Sequence, residues 1–204
     1  MAPLAPEAVD KVAAGDAAEL RLLPAEVYLK TYVQLFGAGS PAEVQKRART
    51  GEGPRLFDNW NDYAAALGLP DRRNDLPRAT ESNALMMATF DRLAIALCVR
   101  GAEHDLRGDR PVGERTLFAF GGLPEPQTRA AFVAPFDVLH RSFLSYPAAL
   151  APAARTDTYF ALFRETLARH KSATAPKRPV LNPLESAWTA VCIALAVHPE
   201  AHSY

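Results

Sequence analysis

An all-α fold is what the sequence predicts: a single orthogonally packed domain of six to eight helices joined by long irregular connections. Apolar residues recur at three-to-four spacing along most of the 204 residues, which is the helical period. Ala and Leu dominate, while the β-branched Val and Ile are comparatively few. Only residues 116–120, Thr-Leu-Phe-Ala-Phe, read as extended, and an isolated strand has no sheet to join.

The stretch 1–20 is rich in Ala and charge but poor in large apolar side chains, so it is expected to be a loosely held arm, with residues 21–204 forming the helical domain. Pro24 suits a first helical turn, and Val27, Tyr28, Tyr32, Leu35 and Phe36 form a stripe that Gly37 ends. Ser40, Pro41 and Glu43 make a capping box for the next helix, whose Lys46, Arg47 and Arg49 complement the negative end of its macrodipole. After a Gly/Pro loop, residues 57–67 read as a short helix with Trp60, Tyr63 and Ala64 on one side, stopped by Gly68 and Pro70. Residues 70–78 are a charged surface connection with two prolines.

Thr80 is expected to cap the most apolar segment, in which residues 83–99 are nearly apolar on every side except at Asp91 and Arg92; such a helix belongs at the centre of the fold. A long irregular connection follows, packed by Leu117, Phe118 and Phe120. Helical signal resumes over 135–145, with Phe136, Leu139, His140, Phe143 and Leu144 in register, and again after Pro152, with Tyr159, Phe160, Leu162, Phe163 and Leu167 on the buried side. Residues 171–179 form a flexible basic linker. Asn182, Pro183 and Glu185 then open a last helix with Leu184, Ala187, Trp188, Val191, Cys192 and Leu195 on one face, and Pro199 closes it. The expected core includes Tyr32, Phe36, Leu85, Phe90, Leu93, Leu97, Phe143, Phe163, Trp188 and Val191.

Charge excludes one class of function. The 23 basic side chains balance 23 acidic ones, so no global field draws the chain onto a nucleic acid. No run approaches the ~20 apolar residues of a membrane span, and the N-terminal stretch lacks a basic region followed by an apolar one. The expected location is cytoplasmic for the chain as it stands, or periplasmic if a signal peptide has been removed. Cys98 and Cys192, in two separate apolar stretches, read first as small buried hydrophobes with free thiols. The alternative is one disulfide between packed helices in an oxidising compartment.

No motif carries a reaction. There is no HExxH, no Cys-x-x-Cys-His for covalent haem, no glycine pattern for a phosphate cradle and no GxSxG nucleophile elbow. His198 and His202 have metal-compatible spacing, but Pro199 lies between them and a frayed tail is the plainer reading. Glu103, His104 and Asp105 are the densest cluster of ligating types; consecutive helical residues do not share a face, so a solvated helix end is expected. His140 sits in a mostly apolar helix and must find a hydrogen-bond partner or a ligating role. Asp91 and Arg92 are expected to pair. Trp60, Asn61, Glu81 and Asn83 are the remaining polar and aromatic candidates for a ligand pocket, and Met86 or Met87 could offer a thioether to haem iron or copper, though Met in such a helix fills gaps.

The last helix carries Ala187, Trp188 and Cys192, followed by Pro199, Glu200 and a terminal Tyr204, and the segment 83–98, Asn-Ala-Leu-Met-Met onward, is similar in style to an internal helix of the same group. In these features the chain resembles uncharacterised helical proteins of planctomycetes and myxobacteria that accompany cytochrome c domains. The resemblance covers about a fifth of the chain and implies an envelope-associated accessory protein near electron-transfer components. The leading functional expectation is therefore a non-enzymatic accessory or interaction domain with a protein partner and no cofactor of its own. Two rivals stand beside it: a metal- or haem-dependent redox protein using His140 or His104, and a binder of a small apolar ligand within the helical core.

Overall fold

The computed structural model of the chain describes residues 27, 34–35, 66–70, 83–106, 110–172 and 181–202. Those residues are helical, with no strand among them. Four α-helices can be named: α1 (Ala84–Leu106), α2 (Arg129–Leu144), α3 (Ala153–Lys171) and α4 (Pro183–Ala196), with short 3-10 turns at Val112–Glu114, Ala148–Leu150 and Pro199–His202. The expected arm, most of the helix read over 24–36, the one after Ser40, most of the one over 57–67, and Tyr32 and Phe36 lie outside the described residues; within 24–36, residues 27 and 34–35 are helical, with Leu35 partly buried and Val27, placed on the expected stripe, exposed. At the end of that last segment Gly68 adopts φ +77°, a left-handed conformation suited to glycine after a helix.

Local signals position the helices well, with shifts that have physical causes. Asn83, not Thr80, caps α1: its side-chain oxygen accepts from the Met86 amide at 3.0 Å. The helix runs through Gly101 to Leu106, because the glycine there answers a close approach: a Cβ would sit 2.5 Å from Leu117 Cδ1. α2 begins at Arg129, six residues before the expected Pro135, and is capped by Thr128, whose hydroxyl accepts from the Ala131 amide. Pro135 is accommodated inside it, and the carbonyl its ring leaves unpaired belongs to exposed Ala131. Lys171 belongs to the end of α3 rather than to a linker. α4 opens on the expected capping box, with Asn182 Oδ1 accepting from the Glu185 amide at 2.9 Å and Glu185 Oε2 accepting from the Asn182 amide at 2.7 Å.

Among the described residues α4 is the hub. It packs most extensively on α3, then on α1, and also on α2. Trp188 is fully buried, its indole N–H donates to the Pro124 carbonyl at 2.9 Å, and its ring meets Phe120, Phe132 and Phe163 with centroids 4.8–5.3 Å away. Burying side chains of this size contributes about 1.5–3 kcal/mol each. α1 instead has one buried stripe (Phe90, Leu93, Leu97) and one exposed side, where Leu85, placed in the expected core, is 63% exposed. Phe143 is only partly buried. Asp91 and Arg92 both lie on the exposed side, so water rather than mutual pairing resolves the cost of two charges in an apolar helix.

Cys98 of α1 and Cys192 of α4 are bonded, with Cα atoms 5.7 Å apart, so the free-thiol reading gives way to a disulfide across the seam. Sequence could not reveal this: the two residues are 94 positions apart, and only the packing of α1 on α4 brings them together.

Candidate functional site

A cavity of about 330 Å³ lies between α3 and α4, within the size range of small-molecule pockets. Arg155, Thr158, Tyr159 and Leu162 line it from α3, Ala194 from α4, and His198 from the turn after it. Their spacing follows from helical geometry: 155, 158, 159 and 162 fall on one stripe of α3. Leu162, Ala194 and the Tyr159 ring form the apolar wall. The Tyr159 hydroxyl donates to the Ala194 carbonyl at 3.1 Å, and burial pushes its pKa up to about 12, so it stays a neutral phenol.

At the polar end the Arg155 guanidinium is held in a network. Its Nη2 donates to Glu200 Oε1 at 2.6 Å and its Nη1 to Glu200 Oε2 at 3.2 Å, a two-point pair. Nη1 also donates to the Tyr146 hydroxyl at 2.5 Å, which in turn donates to Glu200 Oε2 at 2.5 Å. The hydrogen bond from Arg155, joined by that from Tyr146, holds the Glu200 carboxyl down at about 2. Arg155 occupies the first turn of α3, where the macrodipole disfavours a cation. That misplacement is the one sequence signal that could have announced a carboxylate partner. Tyr146 and Glu200 each adjoin a proline, and nothing local marks either as a partner of Arg155.

The histidines divide by their partners. His140 is fully buried; its Nδ1–H donates to the Tyr146 carbonyl at 2.8 Å, and its Nε2 faces Arg155 Nη1 at 3.4 Å. Burial, reinforced by the Arg155 charge, keeps it neutral by lowering its pKa. Both nitrogens are thus turned to protein groups. His198 is no frayed tail: its Nδ1 accepts from the Glu200 amide at 3.2 Å, which leaves Nε2 to carry the proton of the neutral ring, and burial again lowers its pKa.

His104 and Asp105 depart from the expected solvated helix end. Asp105 is fully buried, and its carboxylate accepts from the backbone amides of Thr116, Leu117 and Phe118 at 2.8–3.2 Å and pairs with His104 Nδ1 at 2.8 Å. It therefore organises the connection that carries Leu117, Phe118 and Phe120 into the core. No group of three or more His, Cys, Asp or Glu among the described residues could hold a metal ion. Asn83 is exposed and engaged as a helix cap, Met86 fills the core while Met87 is exposed, and Trp60, Asn61 and Glu81 lie outside the described residues.

Fold and site together define a disulfide-linked helical protein with a ligand-sized cavity whose polar end carries a paired charge. No protein-family model, curated protein or solved structure matches the chain. No described helix is long and apolar enough to cross a membrane.

Proposed function

We propose that the chain is a non-enzymatic helical binding domain that holds a small, largely apolar molecule in the cavity between α3 and α4. The observation that carries this reading is the lining: an apolar wall of Leu162, Ala194 and Tyr159 faces a polar end at Arg155 and His198. Such a site holds an apolar body and orients it by one polar group. The catalytic alternative has less support, because Tyr159 and His140 spend their donors on backbone carbonyls. The haem or metal alternative is weakened at His140, whose Nε2 faces a guanidinium cation, and at His104, which belongs to no group of three or more ligating side chains among the described residues.

In this reading the binding domain is part of an orthogonally packed unit of six to eight helices and serves a protein partner. The resemblance to helical proteins that accompany cytochrome c domains supports such an accessory role. The disulfide supports an oxidising compartment such as the periplasm.

Fluorescence titration with the neutral apolar probe N-phenyl-1-naphthylamine tests the cavity. Saturable one-site binding is expected, and Leu162→Trp, whose indole would fill the space, should abolish it while leaving the circular-dichroism melting curve in place. Absence of saturable binding, or binding unchanged in Leu162→Trp, would overturn the reading.

A further inference from the structure

The Arg155–Glu200 pair is built asymmetrically. The Arg155 side chain is 10% exposed and stands on a 19-residue helix, whereas that of Glu200 is 38% exposed and stands on the four-residue turn Pro199–His202. The guanidinium is therefore the fixed partner and the carboxylate the replaceable one. Three directed donors meet the Glu200 carboxylate: Nη1 and Nη2 of Arg155 and the Tyr146 hydroxyl. None of them depends on the carboxylate belonging to this chain, because a fork of two N–H groups recognises the planar oxygen pair itself. Arg155 also lines the cavity, which joins this anion site to the apolar wall.

We infer that Glu200 acts as an intramolecular stand-in for a ligand carboxylate, so that the cavity takes small apolar monocarboxylates by exchange with the Glu200 side chain. The exchange forms and breaks no covalent bond and conserves charge: the incoming carboxylate takes over the Arg155 and Tyr146 hydrogen bonds while Glu200 turns to water. The ligand's hydrocarbon part would lie against Leu162, Ala194 and the Tyr159 ring. A neutral ligand of the same length gains only that wall, since it cannot replace the charge that Arg155 requires. Glu200 therefore sets a threshold on access to the Arg155 fork, not to the apolar wall, and only an anionic head group crosses it.

This inference rests on the ligand-binding reading above, and calorimetric titration of hexanoate against 1-hexanol separates the two. In the native chain hexanoate should bind more tightly than 1-hexanol. Glu200→Gln removes the competing charge, and hexanoate affinity should rise by roughly tenfold, equivalent to about 1.4 kcal/mol, while 1-hexanol affinity stays the same. Glu200→Asp, which keeps the charge but shortens the reach, should give a smaller rise and supplies the test if the glutamine variant does not fold. Arg155→Gln should remove the preference for the acid. Equal binding of acid and alcohol, or no gain for hexanoate in either Glu200 variant, would overturn the carboxylate inference while leaving the cavity reading intact. Failure of both ligands and of the neutral fluorescent probe would overturn both.

Discussion

Two carboxylates in this protein are held by opposite means. Asp105, near the end of α1, is fully buried and accepts from three backbone amides of its own following loop. Glu200, beside the cavity, is partly exposed and is held by the side chains of Arg155 and Tyr146. Backbone donors have no alternative once a loop is folded around them, so the first arrangement fastens structure. Side-chain donors can be handed to another acceptor, so the second can exchange. The disulfide anchors the same helix as Asp105, and the cavity lies beside the exchangeable pair.

The comparison breaks most sharply at the disulfide. Replacing Cys98 and Cys192 by Ala reopens a 94-residue separation, and loop-closure entropy puts the loss at about 4–5 kcal/mol. A shift in the denaturant midpoint measures it; a double variant as stable as the native chain would mean the seam is held by packing alone.

Asp105→Ala should come next, at about 3 kcal/mol, because it strands buried amide donors at Leu117 and Phe118. Asp105→Asn, which keeps one acceptor oxygen, should lose less. If alanine were tolerated within ~1 kcal/mol, typical of one net hydrogen bond, the carboxylate would not be organising the loop.

The smallest effect is expected at Glu200, and it is a dependence on pH. Its folded pKa is depressed from 4.5 to about 2, so its contribution is present above 4.5 and is lost as pH falls toward 2. His140 and His198, also depressed, add a loss that begins as pH falls below 6.5, where the unfolded imidazoles take up protons that the buried ones refuse. Urea midpoints at pH 8, 5 and 3 should therefore fall in two stages. In Glu200→Gln the second stage should be shallower and the first somewhat deeper, because the Glu200 charge raises the pKa of both imidazoles; identical profiles would show that the Glu200 pair contributes nothing to the fold.

Much of the scaffold was legible in the sequence. The capping box of Asn182 and Glu185, the buried stripe of Tyr159, Phe163 and Leu167, and the irregular packed connection at Leu117, Phe118 and Phe120 all rest on signals within a few residues. Errors arose where two local signals competed. Pro135 looked like a helix start although Thr128 was the cap, and the apolar run at Leu85 looked like core although one side of α1 is exposed. The candidate site was hardly legible: of its lining, Tyr159 and Leu162 read as core and His198 as part of a frayed tail, while Arg155, Thr158 and Ala194 carry no local signal of a pocket.

By itself, then, the sequence determined the helical class and the starts and buried stripes of α3 and α4. Caps, prolines and helical periodicity act over one to two turns, and no distant residue needs to be known. Tertiary structure alone decided the chemistry. Cys98 meets Cys192 across 94 residues, Leu117 donates to Asp105 across 12, and Arg155 donates to Glu200 across 45. Each contact depends on how helices and loops are placed against one another, and such placement is set by packing of the whole core rather than by any local pattern.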